Sequence, residues 1–531
     1  MSRPFTRLLA LLSLVVLFSP MASALAQTPA ASPVASPVIE APSFREDTCA
    51  YDLPTGRTTD DVQCGWVTAP MYPDGESEGV VQLPIIRIKA TTDSPAAEPL
   101  LILLGGPGQN MSAVLPLFSD EYPLWNFMLE RQDVILFDQR GMGASIPTLA
   151  CPFERATNES GASESGMAVG FALLSCPIDL AAEGTDLSAF TTENNAADIE
   201  AIRVAMGFEQ IDLYGISYGS KLALSAIRDY PDSIRASIIS SPLPLENNPF
   251  YDQVVGFESS LDQVWAACLA DAECASDVPD PEGSYLAAVE HLADEPMTIE
   301  VMVPGTTNIT ELPIDHYTFM QLLYLGVYIG PLAPMLPYLV QDVAAGNGDV
   351  LQLFAPFVAM DGGLSMGALF TYFCQDEIPF DSQAETNAAI AREDLSAPIE
   401  DGTWIGLGDQ SYQLCGIWKL APADDIENEA VVSDEPLLIL TGSLDPITPA
   451  SNGDAVAANF PNNQLVEFTA QGHDPATNDP ECGNAIMTQF LDDPAAAVDA
   501  ACATDPMEFI HPDEVLEPVA SPVASPVPGG I

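Results

Sequence analysis

The amino-acid sequence predicts an α/β fold, because short apolar segments alternate with helical patterns along much of the chain. The apolar segments lie at positions 100–104, 134–137, 211–214, 234–240, 437–440 and 465–468. Near-continuous apolar strands of this length are typical of a parallel sheet that helices cover on both faces. The chain has 531 residues, 47% hydrophobic and 17% charged, which is enough for a large buried core. We therefore expect a mostly parallel sheet with helices on both faces.

A helical pattern lies between two of these predicted strands. Within residues 195–206, Ile199, Ile202 and Met206 recur at helical spacing, and Gly207 follows as a stop signal. Strand, helix and strand thus follow one another, which is the arrangement of an α/β sheet.

The alternation lapses between about 245 and 435, where the apolar spacing is helical and long. We interpret residues 245–435 as a large, mainly helical cap inserted over the active site. Its segment 319–340 has no charged side chain, but three prolines and two glycines interrupt it. Buried or groove-lining cap helices are therefore favoured over a membrane span. The rest of the fold is predicted to be an N-terminal core part, 44–244, and a C-terminal core part, 436–511.

The N-terminal residues 1–26 have the pattern of a secretory signal peptide. Arg3 and Arg7 precede an apolar run over 8–18, and a small-residue cleavage site ends at Ala26. The run is too short to span a bilayer, so no transmembrane span is expected beyond the signal peptide. The protein is therefore expected to be secreted or associated with the cell envelope.

The octapeptide Ala-Ser-Pro-Val-Ala-Ser-Pro-Val occurs at both ends of the chain, at 31–38 and 520–527. Its regularly spaced prolines prevent it from forming a packed core. A disordered linker, 27–43, and a disordered tail, 512–531, are expected.

The ten cysteines are even in number and fall in near-neighbour pairs along the chain. We predict five sequential disulfides, which are typical of an oxidising compartment. The predicted pairs are Cys49 and Cys64, Cys151 and Cys176, Cys268 and Cys274, Cys374 and Cys415, and Cys482 and Cys502. No CxxC motif occurs and the four histidines are scattered, so no metal site is predicted.

The formal net charge is −61, and removal of residues 1–26, with two arginines and no acid, makes it −63. A chain this acidic is excluded as a natural partner of nucleic acid. The charge favours solubility and gives no information about the reaction.

The motif Gly-Ile-Ser-Tyr-Gly at 215–219 follows a predicted strand and opens a predicted helix. A sharp turn of this kind needs small neighbours on both sides of the serine and raises its hydroxyl above the sheet edge. Ser217 is therefore the candidate nucleophile. It needs a histidine to take its proton and a carboxylate to orient that histidine.

His473 is the candidate base, because it alone among the four histidines lies in a loop after a predicted core strand. The others are His291 and His316 in the predicted cap and His511 beside the tail. Asp445 is the candidate acid, since it also follows a strand and stands between the serine and the histidine in the chain. Asp474 is interpreted as a solvated or loop-fixing residue. The order serine, acid, histidine is that of α/β-hydrolases.

An oxyanion hole requires two N–H groups aimed at the developing charge. One is predicted from Tyr218, directly after the nucleophile. The Gly-Gly-Pro-Gly sequence at 105–108 follows another strand and supplies the second, from either Gly106 or Gly108.

Several motifs together resemble the prolyl aminopeptidase branch of the α/β-hydrolases, and more closely its secreted tripeptidyl-aminopeptidase-like relatives. The similar segments are 64–72, 105–108, 137–145, 198–207, 215–219, 374–376, 415–418, 440–449 and 472–473. The family often has histidine where Leu104 stands. The resemblance implies a serine exopeptidase that acts on peptides with a free N-terminus and needs no cofactor. Asp138 and Arg140 are expected to hold their loop by ion pairing.

A substrate ammonium group that enters a dry cleft needs a carboxylate partner. Asp376 and Glu377, after a cysteine of the cap, are the candidates, although two surface acids are an equally good interpretation. Two alternative functions stay open: an esterase-type hydrolase with the same triad, and an inactive binding protein that keeps the fold.

Overall fold

The computed structural model describes residues 42–73, 79–160, 166–302, 309–358, 364–400 and 408–512. The predicted signal peptide and both copies of the octapeptide lie outside these residues. The strands are β1 (Ser43–Glu46), β2 (Val62–Pro70), β3 (Val80–Ile88), β4 (Leu100–Leu103), β5 (Val134–Phe137), β6 (Ile211–Ile216), β7 (Ile234–Ser240), β8 (Met297–Met302), β9 (Ile309–Ile314), β10 (Leu437–Gly442) and β11 (Asn463–Phe468).

The α-helices are α1 (Asn126–Leu129), α2 (Pro152–Ser160), α3 (Gly166–Ala182), α4 (Thr192–Met206), α5 (Tyr218–Asp229), α6 (Pro249–Ala270), α7 (Ala272–Asp277), α8 (Pro281–Asp294), α9 (His316–Tyr328), α10 (Leu336–Ala344), α11 (Leu351–Val358), α12 (Met366–Tyr372), α13 (Gln383–Ile390), α14 (Ala397–Glu400), α15 (Gly408–Trp418), α16 (Ser451–Ala457), α17 (Pro475–Asn478) and α18 (Pro480–Asp492). Short 3₁₀ helices connect several of them, and a π-helix spans Phe373–Glu377.

One nine-stranded sheet, in the order β1-β2-β3-β5-β4-β6-β7-β10-β11, forms the centre of the molecule. The six strands from β5 to β11 in this order are parallel, and β1, β2 and β3 are antiparallel to their neighbours. The predicted α/β class is therefore confirmed, with a mixed rather than purely parallel sheet.

Both faces of the sheet are buried, which explains the continuous apolar strands. Along β4, Leu101 and Leu103 face one hydrophobic core, while Leu100 and Ile102 face the other, and each is at most 1% exposed. Successive side chains of a strand point to opposite faces, so a strand covered on both sides can be apolar at consecutive positions.

Helix α4 begins at Thr192, three residues before the predicted helical pattern. The side chain of Thr191 accepts a hydrogen bond from the N–H of Asn194, which caps the helix. The helix ends where expected, because Gly207 adopts φ 80° as its C-cap.

The predicted cap range, 245–435, is called the cap segment below. It contains the helices from α6 to α15 and also a two-stranded antiparallel sheet, β8 with β9, which the sequence analysis did not predict. Its first half forms most of a separate hydrophobic core, which includes Phe257, Leu323 and Leu339 and also Leu444 from the loop after β10. Its second half shares the core of the central sheet, for example through Leu369.

The uncharged segment 319–340 lies in this cap interior. It forms most of α9, a 3₁₀ helix at Gly330–Met335 and the start of α10, and Leu322, Leu336 and Val340 are at most 2% exposed. No helix within the described ranges is both long enough and apolar enough to cross a membrane.

Five disulfides join the ten cysteines: Cys49–Cys64, Cys151–Cys176, Cys268–Cys274, Cys374–Cys415 and Cys482–Cys502. Each bridge joins a cysteine to the next cysteine along the chain. Each also lies entirely within the cap segment or entirely outside it.

Candidate active site

Ser217 occupies the turn between β6 and α5, at the carboxyl edge of the parallel strands. Its backbone has φ 58° and ψ −124°, a conformation that L residues rarely adopt. A Cβ atom on Gly215 would lie 2.3 Å from the carbonyl oxygen of Gly219, and one on Gly219 would lie 2.0 Å from that of Leu103. The flanking positions therefore admit only glycine, which is the reason the nucleophile motif requires it.

Asp445 and His473 lie in the loops that follow β10 and β11, at the same edge of the sheet. Their side chains form a hydrogen bond between His473 Nδ1 and Asp445 Oδ2, with a distance of 2.9 Å, and both are buried. Burial opposes ionisation of Asp445, but the contact with His473 and further hydrogen bonds outweigh it and hold the pKa of the carboxyl below its ordinary value. The arrangement keeps a carboxylate against one nitrogen of the imidazole.

The loop after β7 connects the nucleophile to this pair. The N–H of Ser217 donates to the carbonyl oxygen of Ser240 (3.0 Å), and the hydroxyl of the next residue, Ser241, donates to Asp445 Oδ2 (2.7 Å). The three predicted catalytic side chains therefore lie on neighbouring loops of one sheet edge. Ser241 has φ 54°, and no sequence signal marked it, because its role depends on a partner 204 residues away.

Two further residues of these loops were not predicted as part of the site. The Thr448 hydroxyl donates to Asp445 Oδ2 (2.7 Å) and lies 3.2 Å from His473 Nδ1. Asp474 accepts hydrogen bonds from the hydroxyls of Ser240 (2.8 Å) and Tyr214 (3.2 Å). Asp474 thus fixes the loop, which agrees with one of the two interpretations offered for it.

The glycine-rich loop after β4 runs directly beside the nucleophile. A Cβ atom on Gly105 would lie 3.0 Å from the Cβ of Ser217, and Gly106 and Gly108 adopt φ 110° and 122°. Pro107 has no N–H group, and the N–H of Gln109 donates to the carbonyl oxygen of Gly105 (3.4 Å). Both Gly106 and Gly108 remain candidates for the oxyanion donor.

Tyr218, the other predicted oxyanion donor, is the first residue of α5. The first N–H groups of a helix have no acceptor within the helix, and they carry the positive end of its dipole. The N–H of Tyr218 is such a group and could donate a hydrogen bond to an oxyanion formed at Ser217.

Residues of the Phe-Asp-Gln-Arg-Gly segment support the oxyanion loop, and the expected ion pairing is observed for Arg140 but not for Asp138. Gln139 Nε2 donates to the carbonyl oxygen of Leu104 (2.9 Å). Asp138 accepts the N–H of Met111 (2.8 Å), and burial raises the pKa of its carboxyl to about 6. Arg140 forms an ion pair with Asp198 through two hydrogen bonds of 2.7 Å.

The two acids predicted to bind a substrate amine lie side by side on the π-helix of the cap segment, and both are buried. Glu377 is ion-paired with Lys221, which lies one turn after the nucleophile on α5. Asp376 Oδ2 accepts the N–H (2.9 Å) and hydroxyl (2.7 Å) of Thr192. Asp376 Oδ1 has no hydrogen-bond partner among the described residues. Burial, followed by the nearby Glu427, raises the pKa of Asp376 well above its ordinary value.

No group of three or more His, Cys, Asp or Glu side chains within the part of the chain that the structure describes is arranged to hold a metal ion.

Comparison with known proteins shows which protein families and individual proteins this chain resembles. Residues 98–271 match a model described as alpha/beta hydrolase fold, and residues 407–502 match one described as TAP-like protein. Serine protease Hip1 of Mycobacterium tuberculosis is 24% identical over 81% of this chain and 84% of its own length. Carboxylesterase B of the same species is 23% identical over 91% and 94%. Tripeptidyl aminopeptidase of Streptomyces lividans is 29% identical over 38% of each chain.

The two model matches extend into the two ends of the cap segment and contain the predicted catalytic residues. Ser217 falls within the first match, and Asp445 and His473 fall within the second. The chain is a serine hydrolase of the α/β-hydrolase fold, and its C-terminal part is similar to TAP-like proteins.

Proposed function

We propose that this protein is a secreted serine exopeptidase that hydrolyses peptide bonds near free N-termini. The observation that carries the proposal is the geometry of one sheet edge. It has a serine in a strained turn between two obligatory glycines, and a buried carboxylate–imidazole pair on the adjacent loops. The names of two relatives, a serine protease and a tripeptidyl aminopeptidase, favour peptides as substrates.

The proposed reaction is acyl transfer through a covalent intermediate. His473 takes the proton of Ser217, whose oxygen attacks the scissile carbonyl carbon, and the imidazolium then protonates the leaving amine. Asp445 keeps the imidazole in the tautomer that carries its proton on Nδ1 and stabilises the positive charge. Water, activated by the same histidine, hydrolyses the acyl-enzyme and regenerates the serine.

The developing oxyanion is proposed to accept hydrogen bonds from the backbone N–H of Tyr218 and from that of Gly106 or Gly108. Such fixed donors stabilise the transition state without reorganisation, and each is typically responsible for about 10²–10³-fold in kcat. None of these steps uses a cofactor.

The substrate's ammonium group is proposed to bind at the buried acids of the cap segment. Three carboxylates lie there, on Asp376, Glu377 and Glu427. Lys221 pairs with Glu377, and Arg228 donates to Glu427 (2.8 Å). Asp376 has no ion-pair partner among the described residues and burial raises its pKa, so a substrate ammonium group bound beside it would stabilise its ionised form. Asp376, with its unpartnered Oδ1, is the proposed amine ligand, while Glu377 acts through Lys221.

Export of the protein is part of the proposal. It rests on the predicted signal peptide at 1–26 and on the five disulfides, which persist in oxidising compartments.

An esterase is the second candidate function, and a specific observation favours it. The relative named carboxylesterase B matches 91% of this chain, a larger share than the serine protease does. The fold and the triad do not determine whether the leaving group is an amine or an alcohol. The third alternative, an inactive binding protein, would not react at Ser217.

The test is hydrolysis of a tripeptide with a chromogenic amide leaving group, free and N-acetylated, beside a single-residue proline amide and a simple ester. Ser217→Ala is the blank. We expect cleavage of the free tripeptide and at least a 10-fold slower rate on the acetylated one. Asp376→Asn should lower the ratio of the rate on the free tripeptide to the rate on the acetylated one. Glu290→Gln, which changes an exposed acid on α8, should lower this ratio less.

Ester turnover without peptide cleavage would leave the triad intact and overturn the exopeptidase assignment. Failure of a fluorophosphonate probe to label Ser217 would favour the inactive binding protein.

A further inference from the structure

The imidazole of His473 is in contact with an aromatic ring of the cap segment. The rings of Tyr328 and His473 are stacked, with their centroids 4.7 Å apart and their planes 24° apart. Tyr328 is the last residue of α9, in the half of the cap segment that forms most of the separate hydrophobic core. The sequence separation of 145 residues explains why no local pattern indicated this contact.

The backbones of the two segments are joined at the same point. The N–H of His473 donates to the carbonyl oxygen of Tyr328 (2.8 Å). A Cβ atom on Gly472 would lie 2.1 Å from the carbonyl oxygen of Val327, so the loop approaches the helix end more closely than any side chain allows. Position 472 is glycine for this reason. The end of α9 therefore determines the position of the loop that carries His473.

The ring of Tyr328 is itself held by its surroundings. Tyr324, one turn earlier on α9, stacks on it with centroids 6.3 Å apart and planes 24° apart. Gln253 of α6 donates to the Tyr324 hydroxyl (3.2 Å). The imidazole therefore lies against an ordered layer of the cap interior rather than against a mobile side chain.

The contact supplies a restraint that Asp445 cannot supply. A single hydrogen bond at Nδ1 fixes one point of the imidazole but permits the ring to tilt about the bond. A parallel ring 4.7 Å away opposes such tilting, because aromatic pairs favour a narrow range of mutual orientations. A proton transfer that needs alignment within a few tenths of an ångström is sensitive to this tilt.

We infer that Tyr328 is a positioning residue for the base: the cap segment sets the plane of the His473 ring, and Asp445 sets its tautomer. The inference rests on the role of His473 in the proposed function. It makes the cap segment a structural part of the catalytic base, in addition to any contact that it makes with substrate.

The test compares Tyr328→Leu and Tyr328→Met, which remove the ring, with Tyr328→Phe, which keeps it. Tyr285→Leu is the matched control, because Tyr285 is a buried cap tyrosine that stacks on Trp265. For each variant we would measure kcat and KM on a simple ester, the rate of fluorophosphonate labelling of Ser217, and Tm.

We expect the Leu and Met variants to lose about 10- to 100-fold in kcat and in labelling rate, with KM within twofold of wild type. Tyr328→Phe should keep at least half of kcat. Tyr285→Leu should lower Tm by as much as Tyr328→Leu and leave kcat within twofold.

The inference is overturned if Leu and Met at position 328 both retain kcat, if Phe loses as much as Leu, or if the Tyr285 control loses as much kcat. Absence of labelling in the wild-type protein would overturn it together with the proposed function. Ester turnover without peptide cleavage would overturn only the exopeptidase assignment and leave this comparison intact.

Discussion

The central sheet and the cap segment differ in how their sequences encode structure. In the sheet, β5 and β7 coincide with apolar runs that are visible in the sequence, because both faces of each strand are buried. In the cap segment, the buried hydrophobic residues are distributed over the helices from α6 to α15 and one hairpin, whose packing depends on partners far along the chain. The comparison teaches that the predicted catalytic side chains come from the locally encoded region, while the proposed orientation of the His473 ring depends on the cap segment.

Asp445→Asn is expected to have the largest effect, because Asp445 belongs to the central region and acts on every substrate. An amide that donates to Nδ1 favours the wrong tautomer of His473, so kcat should fall about 10⁴-fold on peptide and ester alike. Steady-state kinetics on both substrates, with Tm as the control for folding, would check this.

The outcome that would contradict this prediction is a selective effect. If Asp445→Asn impaired peptide hydrolysis and left ester turnover near wild type, the acid would act in substrate recognition and the division between the two regions would fail.

Gly472→Ala is expected to have the next largest effect, because it acts at the boundary between the two regions. The new Cβ would lie 2.1 Å from one carbonyl oxygen of α9 and 2.3 Å from another, so the loop or the helix end must move. We expect a loss of about 3–5 kcal/mol in the free energy of unfolding, measured by denaturant titration.

The matched control is Gly416→Ala on α15, where a Cβ would meet nothing within 4 Å. Removal of a helical glycine should leave stability unchanged or raise it by about 0.5–1 kcal/mol. Equal losses in the two variants would mean that the boundary contact is not the cause.

The smallest expected effect is the dependence of stability on pH. Burial raises the pKa of Asp138 to about 6 outside the cap segment, and that of Asp252 to about 6 within it. Between about pH 4 and pH 6 the folded protein keeps these two carboxyl groups protonated, while the unfolded chain, with a pKa near 3.8, has released the protons. The free energy of unfolding therefore falls as the pH rises from about 4 to beyond 6. Tm should be about 3–6 °C lower at pH 8 than at pH 5.

The same measurement tests whether the two regions unfold together. Asp138→Asn and Asp252→Asn should each flatten the pH profile of one common transition. Two separate transitions, each changed by only one of the variants, would show that the cap segment unfolds independently.

Much of the site could be predicted from sequence, because the motif around Ser217 and the loops of Asp445 and His473 follow strands that are themselves recognisable. The partners of these residues could not. Ser241 contacts Asp445, which lies 204 residues away in the chain, and Lys221 forms an ion pair with Glu377, which lies 156 residues away. Such contacts depend on how the whole chain folds, and a local pattern of residue types does not record them.

Some of the fold also escaped prediction, for identifiable physical reasons. In β3, Gln82, Pro84 and Arg87 interrupt the apolar residues, so no continuous apolar run marked it. The hairpin of β8 and β9 lies within the range 245–435, which was predicted to be mainly helical. The helical apolar spacing that dominates this range concealed the two short strands. The partner of Arg140, Asp198, lies 58 residues away and could not be identified from the local motif.

The arrangement of the disulfides has a consequence for biosynthesis. The bridged cysteines are 15, 25, 6, 41 and 20 residues apart, and no bridge encloses a cysteine of another. A chain that emerges amino end first can close each bridge before the next pair appears, without undoing an earlier one. The sheet is completed later, because β7 pairs with β10 and the whole cap segment lies between these two strands in the sequence. Covalent closure of the first four bridges can thus precede completion of the sheet, and only Cys482–Cys502 forms after the final strand has been made.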